Sequence, residues 1–256
     1  VIEIEARIRN AATDKTLREA ARVIWAREAV KLFEDQPRTG LRISDSGNCV
    51  RQVYGKLNGN PEAFDSHVQL FNLDEGTLTG CWWACLLAAS LEADGYVVEL
   101  EPEVTLDGIP GHIDLYYTWP SYLQDVTGKA FFEDTGVVEF KKTGSWTASP
   151  QRWHVLQLGS YLAAKGVEDG AIVSIAPAAK VNQIAVTWYK LSDLQFDVAV
   201  EWERLSAALG PVEPTEDAVE AFRCKGCPVV RCQRNPAFVT DGLLEKLEES
   251  YAARNG

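Results

Sequence analysis

Apolar residues recur at helical spacing through TDKTLREAARVIWAREAVKLFED, predicting an amphipathic helix over residues 13–35. In the polar stretch that follows, Ser44 or Asp45 is suited to cap a short helix carrying Cys49, Arg51 and Tyr54. Residues 58–66 read as a loop. GTLTGCWWACLLAASLEA predicts a strongly apolar helix over 76–93.

The pattern then changes to period two or continuous β-branched runs. VVELEPEVTL (97–106), IPGHIDLYY (109–117) and GVVEFKKT (136–143) read as strands. Ser149 followed by Pro150 predicts an N-cap and first helical position, opening a helix that Gly166 closes. AIVSIAP (171–177) and IAVTWYKLS (184–192) read as strands, and 193–209 as a helix. A linker, GPVEPTEDA, leads to a cysteine-rich stretch and a polar helix over 241–253. This order predicts an α/β fold with a mixed central sheet flanked by helices. One domain is expected, with a helical N-terminal part over 1–95, an α/β core over 96–210 and a cysteine tail over 211–256.

Composition narrows the classes. The apolar share of 46% supports a sizeable core, while the longest apolar run, Cys81 to Ala89, is too short to span a bilayer. No apolar signal core opens the chain, so a cytoplasmic protein without membrane partners is expected. The net charge of −12 opposes long non-specific contact with duplex nucleic acid, which needs basic surface. Local basic groups remain: Lys141, Lys142, Arg152 and Lys165, and Arg223, Lys225, Arg231 and Arg234 among the cysteines.

The sharpest chemical signal is GHID (111–114) followed by VVEFK (137–141). Strand alternation puts Glu139 and Lys141 on one face and Val138 and Phe140 on the other. If the two strands pair, Asp114 joins them. Two carboxylates and the Phe140 carbonyl are hard oxygen ligands suited to Mg²⁺ or Mn²⁺. Such a cation activates water and polarises a phosphoryl group, and a lysine stabilises the developing charge. On the next helix Gln157 and Tyr161 are four residues apart on one face, with His154 near the same stripe. Trp146, in the loop after Lys141, is placed to stack on a base, which suits single-stranded DNA. The set Lys142, Trp146, Arg152 and His154 is therefore the expected nucleic-acid contact.

Six cysteines in a chain with no export signal favour metal or cluster binding over disulfides. Cys224, Cys227 and Cys232 are spaced C-x2-C-x4-C, and Cys49, in a polar segment, is the natural fourth ligand. Zinc and an iron–sulfur cluster both suit four thiolates. Cys81 and Cys85 lie in an apolar helix and read as core residues. Trp82 and Trp83 read as core for the same reason.

Together, G-H-I-D, V-V-E-F-K and Q-L-G-S-Y resemble successive motifs of the PD-(D/E)XK nuclease superfamily, RecB-like branch. The distant cysteine with a C-terminal trio, and S-x4-C-x-R-x2-Y (Ser44, Cys49, Arg51, Tyr54), resemble its iron–sulfur members. Those include CRISPR-associated RecB-like exonucleases, AddB-type helicase–nuclease subunits and phage exonucleases. The resemblance implies a restriction-endonuclease-like core with Asp114 and Glu139 as metal ligands. It also implies Lys141 as the catalytic lysine, Gln157 and Tyr161 as the accessory pair, and a structural [4Fe-4S] cluster on Cys49, Cys224, Cys227 and Cys232. The activity it implies is a metal-dependent exonuclease on single-stranded DNA or DNA ends, working with recombination, phage-replication or CRISPR-integration proteins. One position departs from the pattern. The helix before the sheet should carry a His or Glu one turn after a glycine, but Gly76 is followed by Thr77, Leu78, Thr79 and Gly80. Glu75, Asp74 and His67 are the substitutes, with Glu75 favoured. That vacancy supports the alternative of a non-catalytic DNA-binding or assembly subunit retaining the fold.

Overall fold

The computed structural model describes residues 2–28, 40–58, 67–119, 135–142, 149–176 and 184–211, with side chains of 67–76 excepted. Helices α1 (Ile4–Thr13), α2 (Lys15–Glu28), α3 (Val50–Leu57) and α4 (His67–Ala93) precede the sheet. Strands β1 (Val97–Leu100), β2 (Glu103–Leu106), β3 (Ile109–His112), β4 (Leu115–Thr118) and β5 (Thr135–Lys142) follow. Helix α5 (Arg152–Lys165), strands β6 (Asp169–Ile175) and β7 (Ile184–Lys190) and helix α6 (Leu191–Ser206) complete the described elements, with short 3₁₀ turns at Ile43–Asp45 and Ala207–Leu209.

The central sheet has the order β1-β4-β5-β6-β7 and is mixed as the sequence predicts: β5 and β6 are parallel, the other pairs antiparallel. The parallel step requires a crossover, and α5 supplies it. The apolar residues of β5 explain the central position of that strand. Val138 and Phe140 enter a core with α1, α2 and α4, while Val137 enters a second core with Leu158, Tyr161 and Leu162 of α5. A third cluster joins α3 to α6 and the turn after it through Val50, Val53, Leu205 and Ala208. Among the described residues no helix is long and apolar enough to cross a membrane.

Several predicted boundaries shift. The helix expected over 13–35 is preceded by α1, and the two part at Asp14, whose extended backbone ends α1 while its carboxylate accepts the Leu17 amide at 2.9 Å. Asp14 thus N-caps α2 at the start of the expected run. The apolar helix starts at His67, nine residues before Gly76. Helix α5 starts at Arg152 with Gln151 as N-cap, not at Ser149–Pro150, because the Gln151 carbonyl takes the first helical amides. Gly166 closes α5 as expected, with φ 69°. Cys49 is the N-cap of α3 and so precedes the helix expected to carry it. The linker beyond Pro211, the final helix and most of the 58–66 loop lie outside the described residues.

The strands expected over 97–106 and 109–117 are each broken in two. Glu101, φ 50°, turns the first, and Pro102 has no amide to donate to a ladder. Across from it the second breaks between His112 and Leu115. The Glu101 amide donates to the Asp114 carbonyl at 3.4 Å, and the Ile113 amide to the Pro102 carbonyl at 3.2 Å. The paired ends β2 and β3 fold away as a two-stranded ribbon. This corner places Asp114 at the end of β4 and not within a continuous strand.

Candidate active site

The register brings the acids together. Leu115 pairs with Val138, so the next step of the antiparallel ladder sets Asp114 against Glu139. The contacts agree: the Asp114 amide donates to Glu139 Oε1 at 3.3 Å, and the Phe140 amide donates to Asp114 Oδ2 at 2.6 Å. Lys141 Nζ lies 2.7 Å from Glu139 Oε2, on the face that strand alternation assigns to both. The Glu139 side chain is only 1% exposed and that of Lys141 17%.

Burial sets the electrostatics. Desolvation and then the Asp114 charge push the Glu139 carboxyl up to about 7. Asp114 is also raised by desolvation, against the pull of Lys141 and the Phe140 amide. Lys141 is raised because Glu139 and Asp114 together outweigh its own desolvation. The lysine therefore keeps its proton, while burial favours the protonated form of both carboxyls. Such perturbation, with an identified partner, marks candidate functional sites.

Helix α5 adds the accessory pair. Gln157 Nε2 donates to Tyr161 Oη at 3.1 Å. Tyr161 is buried, and its phenol is held well above the ordinary range by desolvation, with Glu139 and Asp114 adding to it. Gly111, on the ribbon, is pressed against Tyr161 and Ile43: a Cβ there would stand 2.8 Å from atoms of each. A glycine at 111 is thus what lets the ribbon close over the tyrosine.

The remaining expected contacts are placed less centrally. Arg152 is exposed at the start of α5, Lys142 is half-buried at the end of β5, and the half-buried His154 ring lies edge-on to Trp153 at 5.3 Å. Trp146, Cys224, Cys227 and Cys232 lie outside the described residues, as does the side chain of Glu75. On the helix before the sheet, Gly80 passes over Phe140, where an added Cβ would be 3.6 Å from that residue's Cβ. Cys81 and Cys85 are buried as expected. The Cys81 thiol also feels Asp114, although its downward shift comes chiefly from its hydrogen bond with Cys85. Trp83 is core, and Trp82 packs against the same cluster.

One functional candidate was missed by sequence reasoning. Glu101 is pushed up to about 9 by desolvation and then by Asp114 and Glu139, with Lys141 opposing. The signal was Glu-Pro inside a run that read as one uninterrupted strand. Pro in a strand interior marks an edge or a break.

The donor set of Asp114, Glu139 and the Phe140 carbonyl is chemically suited to a hard divalent cation. Among the described residues no group of three His, Cys, Asp or Glu side chains is itself arranged to hold a metal ion. Coordination would therefore depend on backbone, water and substrate oxygens, as is usual for Mg²⁺.

No protein-family model matches the chain, and no curated protein matches it. Among solved structures it is similar to the crystal structure of SSO0001, with a TM-score of 0.50 and 17% identity over 89% of this chain and 99% of that one. At that identity the likeness shows a shared fold alone. A looser likeness is to an alkaline exonuclease, LHK-Exo, from Laribacter hongkongensis, whose structure is also known in complex with dAMP. There the TM-score is 0.35 and the identity 13%, over 79% of this chain and 87% of that one.

Proposed function

We propose that this protein is a divalent-metal-dependent deoxyribonuclease acting as an exonuclease on single-stranded DNA or DNA ends. The observation that carries the reading is the meeting of Asp114, Glu139 and Lys141 at the β4–β5 junction, beneath the Gln157–Tyr161 pair. The motif resemblance to PD-(D/E)XK nucleases of the RecB-like branch supports it. Asp114, Glu139 and the Phe140 carbonyl would hold Mg²⁺ or Mn²⁺. When bound, that cation supplies Lewis-acid polarisation of a phosphoryl group and a more acidic water.

The chain's own residues do the rest. Lys141 holds its proton and places positive charge where charge builds on the phosphate oxygens. Tyr161, protonated and fixed by Gln157, donates a hydrogen bond toward substrate or water. Burial of Glu139 excludes bulk solvent, which strengthens each of these interactions. Lys142, Arg152 and His154 would meet the incoming strand, and Trp146, on the sequence reading, would stack on a base.

The second element of the proposal is a structural [4Fe-4S] cluster on Cys49, Cys224, Cys227 and Cys232, leaving Glu75 as an auxiliary metal ligand from α4. Two placements support a clip between the chain's ends. Cys49 opens α3, and Tyr54, one turn on, has its hydroxyl 3.5 Å from the carbonyl of Pro211, from which the chain continues to the cysteine trio. Recombination, phage DNA processing and CRISPR spacer acquisition are the settings that this chemistry serves.

The test is degradation of end-labelled single- and double-stranded DNA with Mn²⁺ or Mg²⁺ by anaerobically purified protein, beside Asp114→Ala. Metal-dependent loss of label that vanishes in the variant is expected. A folded, iron-loaded protein that binds DNA and leaves it intact would overturn the nuclease reading in favour of a DNA-binding subunit.

A further inference from the structure

Three acidic positions stand in a row across the sheet. Leu100 of β1 pairs with Leu115 of β4, which pairs with Val138 of β5. One residue beyond each lie Glu101, Asp114 and Glu139, linked by the Glu101-to-Asp114 and Asp114-to-Glu139 hydrogen bonds. Like charges on neighbouring strands are destabilising. Lys141 balances one of the three, so the row retains two uncompensated negative charges when all are ionised, the charge of one divalent cation.

The backbone at Glu101 carries an independent cost. Among the described residues two that are not glycine have positive φ, Glu101 and Asp107, both at 50°. Asp107 precedes Gly108 in the tight turn joining β2 to β3, where Asp-Gly is the favoured pair. Glu101 sits in no such turn, and glutamate has no special tolerance of the left-handed region. Residues held there against preference cluster at functional sites.

We propose that Glu101 is the third acidic group of this centre, a positioning residue whose carboxylate, facing the cation once it is bound, sets the affinity for the divalent cation that Asp114 and Glu139 would hold. The inference rests on the nuclease reading. It also supplies, from the strand side, the negative charge that the helix lacks after Gly76. Glu101 contributes through charge and the water around the cation, since acidic groups beyond the direct ligands typically alter metal affinity by about 10–100-fold.

The experiment is a Mn²⁺ titration of intact protein followed by electron paramagnetic resonance, comparing wild type, Glu101→Gln and Glu101→Asn. Glutamine keeps the shape and removes the charge. Asparagine removes the charge and suits the left-handed backbone. Both variants should fold and bind Mn²⁺ about tenfold more weakly or worse, with nuclease activity recovered as Mn²⁺ is raised. Wild-type affinity in both, within about threefold, would overturn the proposal while leaving the nuclease reading intact. Absence of Mn²⁺ binding and activity in the wild type would overturn both together.

Discussion

Asp114 and Glu139 brace each other through the backbone: the Asp114 amide donates to Glu139 Oε1 at 3.3 Å, while the amide after Glu139 donates to Asp114 Oδ2 at 2.6 Å. Both carboxylates are therefore fixed by short-range contacts before any ligand arrives. Fixing them there is costly, because Glu139 is buried, Asp114 is half-buried and the two repel one another.

Asp114→Asn separates function from folding. The amide oxygen can still accept the Phe140 hydrogen bond, but one buried negative charge is gone. Activity should fall by at least ~100-fold, the scale of losing one group preorganised at a developing charge. The melting temperature in EDTA should hold or rise, since strained functional residues trade stability for activity. A large loss of thermal stability matching the loss of activity would mark Asp114 as structural.

Lys141→Met should do the reverse. Removing one partner of a buried ion pair leaves uncompensated charge and typically costs about 3–5 kcal/mol. Urea unfolding of metal-free protein should show that loss, and saturating Mn²⁺ should recover part of it by binding only the folded state. Failure of Mn²⁺ to shift the variant's midpoint would argue against a cation beside Lys141.

The stability of metal-free protein should fall as pH rises. Glu139 titrates near 7 and Glu101 near 9 in the folded chain, against an ordinary 4.5. Between about 4.5 and 9 the folded state therefore holds protons that the unfolded state has released, so unfolding becomes easier with each step up in pH. Melting curves in EDTA across this window should show the decline, steepest for wild type and shallower for Glu139→Gln. A flat or rising profile would contradict the buried acid row.

Much of the site is legible in the sequence because strand alternation is a strict period: Glu139 and Lys141 had to share a face, and Gln157 and Tyr161 had to share a helix stripe. The mixed sheet follows from the order of elements, with a helix between β5 and β6 and, among the described residues, none between the other paired strands of the predicted core. Corners are less legible. Glu101 and Asp114 owe their meeting to two strands breaking at the same level, and only Pro102 hinted at it. Helix α1 was not read at all, and Asp14 caps the expected helix one residue inside its predicted start.

The fit of Tyr161 under the ribbon gives a packing test. Gly111→Ala would place a Cβ 2.8 Å from both Ile43 and Tyr161. Overpacking of this kind typically costs about 1–3 kcal/mol. Displacement of Tyr161 should also lower activity more than Tyr161→Phe lowers stability, which kinetics and thermal melts on both variants would compare. An alanine variant with wild-type stability and activity would show that the ribbon does not clamp the tyrosine.

Cys49 is presented by a segment that two helices, α5 and α6, hold through three contacts. The Gly47 amide donates to Glu201 Oε1 at 2.5 Å, Arg204 Nη2 donates to the Asn48 carbonyl at 2.6 Å, and Ser46 Oγ lies 3.3 Å from Ser160 Oγ. Gly47 itself, φ 74°, is pressed on Trp153, whose Cβ would be 2.1 Å from an added Cβ. If Cys49 is a cluster ligand, folding and cluster binding are coupled. Cys49→Ala should then lose iron and melt earlier. Glu201→Gln, at a side chain that binds the Gly47 amide and Arg204, should weaken the hold on residues 46–48 and make iron easier to remove with chelator. Iron content by absorbance and metal analysis, with melting temperature on the same samples, decides it. Full iron in Cys49→Ala would remove Cys49 from the ligand set. Equal chelator resistance in Glu201→Gln and wild type would show that the α6 clamp serves packing alone.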